Sequence, residues 1–148
     1  MSHQTVSSKD RLRLWLYMLK NTRSIENELR EMLRVEHETT LPRFDVLAAL
    51  DHNREGLRMS ELSKQLMVSN GNVTGIIDRL STEGMVEKIT VQTDKRATLV
   101  RLTKKGLSYF KILAADHESW VDKELNELSG KEIDEMISTF KKIRKDRT

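Results

Sequence analysis

The sequence predicts a mainly α-helical chain with one small β-hairpin, an α+β arrangement in which short helices and a hairpin sit between two long helical flanks. Three observations carry this reading. Apolar residues recur at helical spacing through residues 9–36 and again from Leu107 onward. Two short helical stretches, near 60–66 and 69–84, are joined by a turn of about three residues. Two runs rich in β-branched and apolar residues, 86–91 and 97–102, flank a polar tip.

The first long helix, 9–36, carries Leu12, Trp15, Leu16, Leu19, Ile25, Leu29, Met32 and Leu33 on one stripe, widened by Leu14, Tyr17 and Met18. A band that wide implies burial against more than one neighbour, a second subunit included. Thr40 is placed to cap the next helix, and Pro42 suits its first turn, where a missing N–H is no loss. Phe44, Val46, Leu47 and Leu50 form its inner side, and the polar run 51–56 ends it. A third helix begins near Met59 or Ser60, with Leu62, Leu66 and Val68 as its apolar contacts. Ser69 caps the fourth, and Gly84 suits the left-handed position after its last turn. The hairpin follows, its tip running from Gln92 to Arg96. Thr103 caps another long helix, Ser129-Gly130 interrupts it, and residues 131–145 form a last helix with Ile133, Met136, Ile137, Phe140 and Ile143 on one side. Residues 1–148 read as a single domain, with a helix-turn-helix and hairpin core at 41–103 between flanks at 9–36 and 104–145.

Composition narrows the function. Charged residues make up 33% of the 148 and apolar ones 37%, and cysteine is absent. No disulfide, thiol switch or Cys-ligated zinc is therefore available. No apolar run approaches the roughly 20 residues needed to cross a bilayer, and the first residues lack a signal-peptide layout. The expected location is the cytoplasm, with no membrane partner. The net charge of +3 is uneven: residues 60–106 hold eight Lys and Arg against five Asp and Glu. That excess favours a partner carrying phosphates.

The fourth helix is the most informative stretch. Val73, Ile76, Ile77 and Leu80 make its apolar stripe. The rest of its first turns is Ser69, Asn70, Asn72, Thr74 and Gly75, which sacrifice helix propensity for hydrogen-bonding groups and a close backbone approach. A major groove roughly 12 Å wide admits one such helix, where Asn70 and Asn72 suit adenine edges and Thr74 a thymine methyl. Gly75 lets the backbone come close to a phosphate or base, and Arg79 suits the DNA backbone. At the hairpin tip, Lys95 and Arg96 are placed to enter a minor groove, with Asp94 bracing Arg96 or Arg79. These expectations describe a sequence-specific reader of double-stranded DNA.

At this point the chain resembles the MarR family of winged helix-turn-helix regulators. The resemblance rests on Glu61-Leu62-Ser63, on Val73 through Gly84 with its Asp78-Arg79-Leu80 and Glu83-Gly84, and on the run from Asp94 through Thr103 with Gly106. It implies a homodimer with interleaved terminal helices, two winged lobes on successive major grooves, and a transcription factor, usually a repressor, released by a small ligand. It further implies that Arg96 is the wing arginine and Asp94 its brace. One departure is Arg58, where the family often places a hydroxyl residue to cap the first short helix. Without cysteine, the peroxide-sensing branch does not apply. The runs 68–75 and 40–45 look most like members associated with aromatic-acid catabolism.

No cofactor is expected beyond a small-molecule effector, an aromatic carboxylate or its thioester. Trp15, Met18, Arg43 and Phe44 are candidates to hold it, three apolar walls and one cation. The same three apolar residues would serve equally as plain core. An enzyme is not expected: the chain has no nucleophile elbow, phosphate loop or HExxH. Two other readings compete, a dimeric winged-helix adaptor that binds protein rather than DNA and a metal-sensing regulator using His37 or His117 with their acidic neighbours. No metal site is assigned.

Overall fold

The computed structural model describes residues 5–66, 70–91 and 94–144, and of Asn70, residues 94–97 and Arg144 the backbone only. The chain divides into two compact units, Met1–Leu113 and Ala114–Thr148. In order, the elements are α1 (Ser8–His37), α2 (Leu41–His52), β1 (Leu57–Arg58), α3 (Met59–Leu66), α4 (Asn70–Thr82), β2 (Val86–Val91), β3 (Asp94–Leu102), α5 (Lys104–Glu124) and α6 (Gly130–Arg144). The mainly α architecture with a small antiparallel sheet agrees with the sequence reading.

Local chemistry sets the helix ends. Ser7 caps α1 in a reciprocal box with Asp10. Glu38 closes that helix in the left-handed region at φ 51°, its N–H returning to the carbonyls of Arg34 and Leu33. Thr40 caps α2, its hydroxyl accepting from the N–H of Arg43 at 3.3 Å. The N-terminus of α3 has no hydroxyl cap. Instead the carboxylate of Glu61 reaches back to accept from the N–H of Arg58 at 3.2 Å, the acidic half of a capping box. Ser129 and Glu132 form a full box at the start of α6.

The first unit is built around the inner faces of α2, α3 and α4, closed by the sheet. Val46, Leu47, Leu50, Leu62, Val73, Ile77, Leu80 and Val100 are fully buried. The strand order is β1-β3-β2, all antiparallel. Two features of the sheet depart from the sequence reading. Leu57 and Arg58 form a strand against Val100 and Leu99, a third strand where two were expected. β3 begins at Asp94, which pairs with Val91 across an irregularity at Thr90/Val91, so Asp94 to Arg96 belong to the strand rather than to a loose tip. Cross-strand pairing with Val91, which local propensity cannot report, starts the strand at Asp94.

One residue ties hairpin, α4 and α5 together. The Thr103 hydroxyl donates to the carbonyl of Gly84 at 2.6 Å and accepts from the N–H of Gly106 at 3.0 Å. Gly84 takes φ +78° and ends α4. A β-carbon on Gly106 would lie 2.0 Å from the carbonyl oxygen of Met85, so only glycine lets α5 start this close.

In the second unit, the apolar residues of α6 (Ile133, Met136, Ile137, Phe140 and Ile143) are 38–52% exposed in the single chain.

Candidate nucleic-acid interface

Helix α4 has two faces of opposite chemistry. Val73, Ile77 and Leu80 are fully buried. Ile76, expected on the same stripe, is only half-buried. The outer face presents Gly71, Asn72, Thr74, Gly75, Asp78 and Arg79. A β-carbon on Gly71 or Gly75 would meet nothing within 4 Å. Each glycine weakens a helix by about 1 kcal/mol relative to alanine. Among the described residues neither position is crowded, so close packing does not require glycine at either.

The end of α4 is held by charges from three other elements. Lys88 of β2 meets the Asp78 carboxylate at 2.5 Å. Arg43 of α2 pairs with the Glu83 carboxylate, one residue beyond the helix. Lys105 of α5 donates to the Glu83 carbonyl at 2.8 Å, where a cation favours the helix dipole. The hairpin is stiffened by Arg101 and Glu87, in register across β2 and β3 and 2.5 Å apart.

Two cavities open beside α4. One, of 330 Å³, is lined by Glu26, Arg30, Leu41, Pro42, Asp45, Leu66, Asn72 and Ile76. The other, of 280 Å³, is lined by Thr40, Arg43, Gly71, Asn72, Gly75, Ile76 and Arg79.

The sequence-derived site residues fall as follows. Asn72, Thr74, Gly75 and Arg79 lie together on the outer face of α4. Asn72 and Thr74 each keep an interaction partner within the chain. Asn70 opens the helix, but its side chain lies outside the described residues, as do all of Ser69 and the side chains of Asp94, Lys95 and Arg96. The proposed brace of Asp94 therefore also falls outside them. Of the effector candidates, Trp15 is 52% exposed on α1 and Met18 half-buried. Phe44 is buried against Phe110, ring centroids 5.6 Å apart. Arg43 alone of the four lines either cavity, and its guanidinium already has a carboxylate, that of Glu83. Glu83, Lys88 and Lys105 were not singled out from the sequence as partners of the fourth helix. Their pairings join residues 10 to 40 positions apart and leave no periodic signal. Among the described residues, no three His, Cys, Asp or Glu side chains gather as a metal site.

Two short helices presenting one exposed face, followed directly by an antiparallel hairpin, define a winged helix-turn-helix protein. The MarR family model matches residues 37–97. A MarR family transcriptional regulator from Silicibacter pomeroyi has a similar structure, with a TM-score of 0.78 and 30% identity, covering 97% of this chain and 100% of that one. The chain belongs to the MarR family of transcriptional regulators. FabT from Streptococcus pneumoniae, whose structure is in complex with DNA, shares the fold at a TM-score of 0.75 and 22% identity over 92% of this chain and 96% of its own. PcaV from Streptomyces coelicolor, in complex with its natural ligand, shares it at 0.69 and 21% identity over 86% and 91%.

Proposed function

We propose that the protein is a cytoplasmic, ligand-responsive repressor that binds a palindromic operator in double-stranded DNA as a homodimer. The observation that carries this reading is the outer face of α4. Gly71 and Gly75 weaken the helix although, among the described residues, a β-carbon would have room at both. Beside them stand amide and hydroxyl groups suited to base edges. The DNA complex of FabT supports the same use of the fold. No helix among the described residues is long and apolar enough to cross a membrane. Selection of bound sequences from a random DNA pool tests the reading. The expected product is a near-palindrome with half-sites about 10 bp apart or a multiple. An unenriched pool favours the adaptor instead. At individual bases, Asn72→Ala is expected to lose roughly 1–3 kcal/mol of discrimination.

The effector is an aromatic carboxylate or its thioester. The ligand complex of PcaV supports a small-molecule signal. The 330 Å³ crevice between α1 and the helices α2, α3 and α4 supports a place for one. Leu41, Pro42, Leu66 and Ile76 give it apolar walls, Arg30 is among its lining residues, and its size falls within the range of ligand pockets. A ligand there bears on Asn72 directly, so occupancy and base reading are coupled if it prefers one placement of α4. Titration of aromatic carboxylates and their thioesters against the selected operator, read by fluorescence anisotropy, is expected to release DNA. No response across a broad panel sinks the effector.

A further inference from the structure

The smaller cavity beside α4 lies between two helices that pack together, α2 and α4. Gly71, Gly75 and Arg79 follow one another at intervals of four along one side of α4, and all three line it. Asn72 and the half-buried Ile76 come from the adjoining row. The facing wall is the start of α2, its cap Thr40 and then Arg43. Two residues without side chains leave a trough on α4, about 12 Å from Gly71 to Arg79. One arginine stands at its end and another across it.

Charge decides what such a trough takes. Among the described residues its lining holds two arginines and no carboxylate. Arg79 is exposed and meets no carboxylate among them. Arg43 is only 17% exposed, its Nε donating to the Thr39 hydroxyl at 3.2 Å and a terminal nitrogen meeting Glu83. Those two bonds hold the guanidinium plane and leave further N–H groups to donate. Glu83 offsets one arginine, so the group stays net positive. Guanidinium forks suit the oxygens of a phosphate, and the apolar Ile76 beside them strengthens such bonds by excluding water. At 280 Å³ the trough is smaller than the roughly 300–1,000 Å³ of ligand pockets, a size for one anionic group.

The trough adjoins the face of α4 that carries Asn72, Thr74 and Gly75. Backbone phosphates run along both sides of any groove that such a face enters. We propose that the trough seats one phosphate of the DNA backbone, Arg79 holding it from α4 and Arg43 from α2. A phosphate held from both helices fixes the register of α4 on the duplex without choosing bases. The inference rests on the DNA-binding reading above.

The test removes the seat without changing net charge. Arg43→Gln combined with Glu83→Gln cancels in charge, so long-range electrostatics predicts native affinity. With the seat lost, binding to the operator and to random-sequence DNA is expected to fall alike, by roughly tenfold. Single phosphates of the selected operator are then replaced one at a time by uncharged methylphosphonate. One position in each half-site is expected to weaken the native protein strongly and to matter far less to Arg43→Gln and to Arg79→Gln, the same position for both. Circular dichroism melts identify folded variants. Arg79 is exposed, so Arg79→Gln locates its phosphate even if the changes at Arg43 unfold the chain, and Arg43→Lys, which keeps the charge and loses the fork, then tests the second arm at that position. Native affinity in the folded double variant, or two arginines that answer to different phosphates, overturns the seat alone. Loss of release by aromatic carboxylates with unchanged DNA affinity in Arg43→Gln gives the trough to the effector and overturns it too. If the native chain binds no DNA, the DNA-binding reading falls and the seat with it.

Discussion

At Gly106 the backbone of α5 passes so close to Met85 that a methyl group has no room. The obstacle is a carbonyl oxygen, which cannot swing aside as a side chain can. Gly106→Ala is therefore expected to destabilise the protein by about 3 kcal/mol, the upper part of the range for forced overpacking, measured as a lower midpoint in urea. Gly75 is the opposite case. Its surroundings are open, so Gly75→Ala is expected to stabilise the fold by up to about 1 kcal/mol through helix propensity. The same methyl stands on the proposed DNA face, where it is expected to weaken operator binding. A melt and an anisotropy titration on one sample check both signs. Two glycines of one chain thus answer the same substitution in opposite directions, and only the structure separates them.

Among the elements, the proposed DNA-binding reading divides the work between α4 and the hairpin. In that reading the first turns of α4 choose bases, whereas Arg79 near the end of α4 and Lys95 and Arg96 of the hairpin contribute charge. Arg79→Ala is expected to weaken binding to all sequences alike and to reduce the salt slope by about 1, measured as the logarithm of affinity against that of salt concentration. Much at this scale was legible in the sequence, because helix ends are local chemistry. Thr40, Gly84 and Thr103 act where their residue types said they would. Long-range pairing was not legible. Leu57 and Arg58 are too short a run to show alternation, and they become a strand only because β3 lies beside them. Asp94 to Arg96 have the composition of a turn, yet β3 begins at Asp94 because that residue pairs with Val91. Arg43 stands in the sequence as one cation beside apolar candidates for a ligand. One carboxylate among many, 40 residues away, proved to be its partner.

In the molecule as a whole, apolar surface is left over. Leu12, Trp15 and Leu16 on α1 are more than half exposed, and the stripe on α6 is nearly as open. A single chain would hold these patches in water, and exposed apolar patches mark association surfaces. Ile137→Asp together with Phe140→Asp is expected to convert the proposed homodimer to monomers, seen as a halved mass in sedimentation equilibrium. Operator affinity is expected to fall with it, because two linked lobes bind a palindrome far more tightly than one.

The division of α4 into a buried face and an outer face also bears on how such a regulator changes its target. Core packing and the charged ties occupy Val73, Ile77, Leu80 and the end of the helix. At the outward positions 71 and 75 a β-carbon would have room among the described residues. Mutations there meet little resistance from folding, so a duplicated gene can drift to a new operator through a few exposed positions while its scaffold stays intact. A library randomised at residues 71, 72, 74 and 75 is expected to yield mostly folded proteins with altered sequence preference. The address and the frame that presents it are separable, and selection can rewrite one without first repairing the other.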